Sequence, residues 1–303
     1  MKVQEFIRRI KPWMLPISMV AGVLLHNYMH YIAFLAPYLI FVMLLITFCK
    51  IEPREFRVTR LSWGLLTIQL GGAVVAYLLL LPISREVAEG AFICFFCPTA
   101  TAAPVITGML GGSVTRLATY SIVSNVTVAL LAPALFTLME TDSGLGFFES
   151  LVIIATKVVP LIILPLFTAL AMRRVMPKAH HALASRQSVS FYIWACSLFI
   201  VVGNAVSFVM SEPAEMIPEM IALAGVSLVA CCAQFYIGRR IGRRAGDKIA
   251  GAQGLGQKNT VLAIWMALTY LHPIASVAPA AYVAWQNIIN STQLYFKAKR
   301  GQI

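Results

Sequence analysis

Lys258 is the residue whose setting most suggests chemistry. It stands in Ala250-Gly251-Ala252-Gln253-Gly254-Leu255-Gly256-Gln257-Lys258-Asn259-Thr260, inside an apolar segment from Ile249 to Leu271. That segment is close to the length a bilayer requires. A cation at membrane depth is costly and tends to face a cavity or a partner. The surrounding glycines and amides suggest a helix that breaks and frees backbone groups. Three roles are open to Lys258: it attracts an anionic substrate in a low-dielectric cavity, it titrates and carries a coupled proton, or it bonds the freed carbonyls of the break. A second interrupted apolar segment carries Cys97-Pro98-Thr99-Ala100-Thr101-Ala102-Ala103-Pro104. Two broken segments in corresponding halves of a chain point to the binding site of a secondary transporter.

Other polar residues fall inside apolar segments. Gln69 lies beside Gly71-Gly72, and Thr99, Thr101 and Thr107 flank the prolines Pro98 and Pro104. Ser121 and Asn125 are spaced i, i+4 and share a helix face, with Ser124 and Thr127 close by. Gln286, Asn287 and Asn290 make another polar face. Each of these could line a cavity or glue helices together. Lys157 is close enough to the end of its segment to snorkel. All twelve acidic residues read as lying in termini, loops or segment edges, which leaves no carboxylate for a proton relay or for charge balance at a sodium site. No H-E-x-x-H, G-x-S-x-G or Walker A pattern occurs, so an enzyme is not expected. The six cysteines lie in or beside apolar segments, and the C-x-x-C of Cys94 and Cys97 reads as small packing residues.

The elements that must position these residues are apolar helices. Of 303 residues 59% are hydrophobic and 12% charged, with mean hydropathy +0.81. A soluble domain carries about 25% charged residues, so this is an all-α membrane protein. Ten segments stand out: 13–29, 32–49, 61–83, 91–110, 117–139, 151–172, 191–210, 216–237, 249–271 and 273–296. The net charge of +12 does not imply nucleic acid, because 21 of the 24 Lys and Arg residues fall in alternate short links, on one side of the membrane. The positive-inside rule then places both termini in the cytoplasm and makes the number of spans even. Ten spans divide into 1–140 and 141–303, two five-helix repeats of opposite orientation, with broken helices four and nine.

At the two interrupted segments the chain resembles the bile acid:sodium symporter family. Cys97 to Thr107 is similar to that family's C-P-G-G-T-A-S-N-V-x-T, and Gly256-Gln257-Lys258-Asn259-Thr260-Val261-Leu262-Ala263 is similar to its G-M-Q-N-x-x-L-A. The resemblance implies a panel domain of helices 1, 2, 6 and 7, and a core domain of helices 3–5 and 8–10 in which helices four and nine unwind and cross. The substrate it implies is an organic anion bound in a cleft between the two. Gln69 and a hydroxyl at Ser121 fit the family's sodium ligands. Four positions depart: Ala103 and Pro104 replace its serine and asparagine, Gly254 its glutamate, and Lys258 its sodium-binding glutamine.

The expectation is therefore a secondary transporter of a bile-acid-like or other small carboxylate in a bacterial-type inner membrane. It needs no cofactor and no conventional sodium coupling, because the Lys258 ammonium replaces a bound cation at the crossing. Its partners are the organic anion and the lipid bilayer. Two alternatives stay open: a sodium symporter with ligands rearranged around Gln69, Gln257 and Asn259, and a membrane sensor on the same fold.

Overall fold

A computed structural model describes residues 14–49, 57–100, 103–139, 147–185, 187–211 and 213–299. Among them the chain is helical throughout its regular structure. The helices are α1 (Met14–Leu24), α2 (Ala36–Cys49), α3 (Arg60–Leu80), α4 (Arg85–Phe96), α5 (Ala103–Met109), α6 (Val114–Met139), α7 (Phe147–Val175), α8 (Pro177–Ser185), α9 (Gln187–Ser211), α10 (Ile217–Arg244), α11 (Lys248–Gly256), α12 (Thr260–Tyr270) and α13 (Val277–Lys299). Among the described residues three stretches are long and apolar enough to cross a membrane: Arg60–Leu80, Val114–Met139 and Ala214–Arg244. Helix falls on each of the ten apolar segments. The first is shorter than its apolar run: α1 stops at Leu24, and the polar His26-Asn27 region continues as a 3-10 turn from His26 to Tyr31. The link after α7 holds a helix, α8, that its sequence did not announce.

Local chemistry sets the helix ends. Thr59 and Ser62 form a capping box at the start of α3, and Ser84 accepts from Val87 N at 3.2 Å at the start of α4. Asp247 accepts from Ile249 N and Ala250 N and so starts α11; its other carboxylate oxygen accepts from Ser113 N at 2.7 Å. Pro98 has no N–H and pushes the residue before it out of the helical region, so Cys97 is extended, with φ −52° and ψ 141°, and α4 ends there.

α9 packs on α1 and α2, and α2 on α7, while α3, α4, α11 and α13 gather around α10. The α10–α11 pair is the tightest. A Cβ on Gly251 would lie 2.3 Å from Gly238 O and 2.6 Å from Gly242 Cα, so the two backbones are in direct contact. The turn between them uses Gly246 at φ +79°, where a side chain would be strained. The main apolar core lies where α2 and α9 meet α4, α6 and α12. Large apolar side chains also point outward: Leu79 is 70% exposed, Phe148 78% and Val229 69%.

Candidate functional site

The two interrupted segments cross each other. After α4 at Cys97 and Thr99, and again between α11 and α12 at Gln257 and Lys258, the chain leaves the helix. The two extended pieces pair antiparallel through Thr99 and Lys258. Ala100 N donates to Gln257 O at 3.0 Å and Asn259 N donates to Pro98 O at 2.8 Å. Each residue of the bridging pair reaches across to the carboxyl end of the other segment's helix. Thr99 Oγ1 donates to Gly254 O of α11 at 2.8 Å. Lys258 Nζ donates to Phe95 O of α4 at 2.7 Å and to Cys97 O at 3.0 Å.

The physical need for this clasp comes from the helix ends. The last carbonyls of a helix have no intrahelical donor. After Cys97 N closes on Ile93 O, the carbonyls of residues 94 to 97 remain, and side chains from three other elements satisfy all four. Gln234 Nε2 of α10 donates to Cys94 O at 3.1 Å. Lys258 takes Phe95 O and Cys97 O. Gln69 Nε2 of α3 donates to Phe96 O at 2.8 Å and to Cys97 O at 3.3 Å. On α11, Thr99 takes Gly254 O and Tyr282 OH of α13 donates to Gly256 O at 2.9 Å.

The electrostatics follow. A helix carboxyl end carries about half a negative charge. Two such ends, of α4 and α11, meet at this crossing, offset by the amino ends of α5 and α12 that follow the same breaks, and the pole that Lys258 bonds is the carboxyl end of α4. One ammonium faces it. Lys258 is 1% exposed, and among the described residues its Nζ pairs with no carboxylate. Lys258 thus makes the bonds of the third of its sequence roles, to carbonyls that the break frees.

The other sequence candidates divide. Gln69 is fully buried and is a hub, with Oε1 accepting from Tyr120 OH at 2.6 Å and Ser124 Oγ at 2.8 Å. The hydroxyls that join it are therefore Tyr120 and Ser124, not Ser121. Ser121 contributes its backbone oxygen to Asn125 Nδ2 at 2.7 Å, an intrahelical bond away from the crossing, and Asn125 Oδ1 is buried without a partner among the described residues. Thr107 is buried, its methyl lies near Gly112, which packs on Ile249 at the start of α11, and its Oγ1 has no partner among the described residues. Pro104 occupies the first turn of α5. Thr101 and the side chain of Lys157 lie outside the described residues.

Gly254 and Gly256 have packing reasons to be small. A Cβ on Gly254 would meet Leu65, Tyr120 and Leu117 at 3.0–3.1 Å, and one on Gly256 would meet the Phe235 ring at 2.5 Å. A side chain at Gly256 would collide with the Phe235 ring, and one at Gly254 would require its three neighbours to shift. Gln286 Oε1 accepts from Lys258 N at 3.0 Å. Asn259 caps α12 by accepting from Leu262 N at 3.3 Å, and Cys97 Sγ donates to Asn259 O at 2.9 Å. Beside these bonds a set of polar atoms is buried and unmatched among the described residues: Asn259 Nδ2, Thr260 Oγ1, Gln257 Oε1 and Gln253 Oε1. Buried polar groups are nearly always paired, so such a cluster asks for a ligand or water.

Sequence reasoning missed four participants. Gln234 carries the same signal as Gln69, an amide within an apolar helix, and was findable. Tyr120 and Tyr282 carried none, since an aromatic in an apolar helix reads as core. Glu89 was placed at a segment edge, yet it is 1% exposed in α4, where it accepts from Arg85 Nε at 2.9 Å and from His272 N at 2.7 Å. The six cysteines are all free.

A cavity of about 280 Å³ opens where α2 and α9 meet α12, lined by Phe34, Pro37, Ile200, Asn204, Trp265 and Thr269 among others. Comparison of the chain with protein-family models and with curated proteins returns no match.

Proposed function

We propose that the chain is a secondary transporter of a small organic anion, one that moves by rocking the α1, α2, α7, α9 group against the helices around the crossing. The observation that carries this reading is the ammonium of Lys258 seated on Phe95 O and Cys97 O, where two broken helices cross. Discontinuous helices that meet at midplane are the recurrent site architecture of secondary transporters, and their freed carbonyls and carboxyl ends there hold Na⁺. In this chain a tethered cation takes that place. The reading is that transport proceeds without sodium, uniport-like, with Lys258 as a permanent counter-charge that locks the crossing. The crowding at Gly254 supports the same conclusion, because a carboxylate that would complete an ion site would have to displace Leu65, Tyr120 and Leu117.

The substrate side rests on α12. Its amino end carries the positive pole of the helix, and Asn259 Nδ2 and Thr260 Oγ1 are unmatched donors at that end. Donors and a helix amino end suit a carboxylate. The cavity beside the carboxyl half of α12 has about 280 Å³ and a mixed polar and apolar lining, below the range usual for drug-sized ligands, which favours a small carboxylate over a steroid. The outward-facing apolar side chains and the apolar helices support an integral membrane protein, with ten spans, inverted halves and cytoplasmic termini as the arrangement that fits the charge pattern.

The test is uptake of labelled short hydroxy- and branched carboxylates into proteoliposomes, compared with protein-free liposomes. Saturable uptake that Asn259→Ala reduces supports transport. Saturable binding in detergent with no vesicle uptake contradicts it and favours a sensor.

A further inference from the structure

The cavity where α2 and α9 meet α12 offers hydrogen bonds but no charge. Its polar side chains are Asn204 of α9 with Trp265 and Thr269 of α12, and among the described residues no Lys, Arg, His, Asp or Glu lines it. Asn204 is half-buried, while its neighbours Val201, Val202 and Ala205 are at most 4% exposed, so α9 meets the cavity through this side chain. No hydrogen bond among the described residues engages the Asn204 amide or the Trp265 Nε1. Thr269 Oγ1 donates to Trp265 O at 2.7 Å, which leaves its oxygen able to accept. The Trp265 ring is held edge-on by Tyr270 at 5.7 Å, and Tyr270 in turn stacks on Phe136 at 5.4 Å. The cavity therefore presents donors from Asn204 and Trp265 and acceptors from Asn204 and Thr269, beside the apolar Phe34, Pro37, Ile200 and Leu268.

This set does not suit the carboxylate of the substrate. The cavity lies along the carboxyl half of α12, the negative pole of that helix, and no cation lines it. An ammonium would find no carboxylate there to pair with, and an unpaired charge is costly to bury. A hydroxyl fits, because its proton goes to the Asn204 or Thr269 oxygen while its own oxygen accepts from Trp265 or Asn204. The two sides of the cavity also belong to different helix groups: Asn204 and Pro37 lie on α9 and α2, Trp265 and Thr269 on α12. A hydroxyl bonded to both sides at once ties together the groups that the transport reading sets rocking. We infer that this cavity recognises a hydroxyl on the substrate, with Asn204 as the specificity-determining residue and Trp265 as its partner, so that the substrate class is a hydroxylated carboxylate. The inference rests on the transport reading for the carboxylate, whereas the hydroxyl assignment stands on the cavity alone.

The experiment compares labelled carboxylates in pairs that differ by one hydroxyl: 3-hydroxybutyrate with butyrate, and 6-hydroxyhexanoate with hexanoate. Uptake into proteoliposomes, with protein-free liposomes as baseline, and equilibrium dialysis of the full chain in detergent are each read as the ratio of hydroxylated to plain compound. The wild type is expected to favour the hydroxylated member of at least one pair by about tenfold or more, since a site built to bond a hydroxyl rejects the analogue that lacks it. Asn204→Leu, close in size, should bring that ratio to within about twofold of unity, and Trp265→Phe should lower it several-fold. A ratio taken within one variant does not depend on how much of the protein is folded. Equal ratios for both pairs in the wild type overturn the inference, and so does an Asn204→Leu protein that keeps the wild-type ratio. Binding of none of the hydroxylated compounds overturns it as well. A hydroxyl preference in dialysis that Asn204→Leu abolishes, with no vesicle uptake of any compound, upholds the cavity assignment and refutes transport.

Discussion

Replacing Lys258 by Met keeps most of the buried stem and removes the ammonium. Phe95 O then loses its donor, while Cys97 O keeps Gln69 Nε2 at 3.3 Å. An orphaned buried carbonyl costs about 1–3 kcal/mol. The carboxyl end of α4 loses its counter-charge as well, worth up to ~2 kcal/mol in a buried setting. Against both stands the relief of no longer burying an ammonium, several kcal/mol in the opposite direction. The net expectation is a destabilisation of about 1–3 kcal/mol, read as a fall of several degrees in thermal unfolding in detergent at roughly 2–4 °C per kcal/mol. Lys258→Ala goes further, because it empties a space lined by carbonyls at the carboxyl end of α4. An alkali cation that enters this space at ten times its Kd restores about 1.4 kcal/mol. The wild type should therefore ignore NaCl against choline chloride, and Lys258→Ala should regain part of its stability in NaCl. A Lys258→Met variant as stable as the wild type would refute the idea that the ammonium closes the crossing, and so would a wild type stabilised by Na⁺ over K⁺.

Three further outcomes follow from the same geometry. Gln69→Leu deprives Phe96 O of its donor and Tyr120 and Ser124 of their acceptor at once, so it should cost about 2–4 kcal/mol, measured by the same unfolding assay. Gly254→Glu restores the carboxylate of the resembled family but pushes it against Leu65, Tyr120 and Leu117; it should destabilise by at least ~2 kcal/mol and gain no Na⁺ dependence. Gly251→Ala places a methyl 2.3 Å from Gly238 O, backbone that cannot give way without parting α10 from α11, so size-exclusion chromatography should show loss of the monodisperse protein.

The sequence made legible what depends on local covalent chemistry. Pro98 lacks an N–H and constrains Cys97, so the break after Phe96 was readable, and the run of Gly254, Gly256 and Asn259 announced the break before α12. Lys258 drew notice because a cation in an apolar segment needs a partner, and freed carbonyls were among the partners considered. Which carbonyls, and from where, was not legible: Phe95 lies 163 positions away from Lys258, and no local period encodes such a pairing. The same limit explains Ser121 and Ser124. Both lie on α6, Ser121 one turn before Asn125 and Ser124 directly before it, and only the packing of α6 on α3 decides that Ser124 reaches Gln69. Glu89 misled because its neighbours Arg85 and Glu86 look like a link, whereas Ser84 starts α4 early enough to bury it.

The measurement closest to the central claim is the initial rate of carboxylate uptake into proteoliposomes, with Na⁺ on both sides and then with Na⁺ replaced throughout by choline. A crossing closed by its own ammonium predicts equal rates, within about a factor of two, the resolution of a small free-energy difference. A rate that collapses without Na⁺ would contradict it, and would mean that the ion binds elsewhere than on the carbonyls Lys258 occupies.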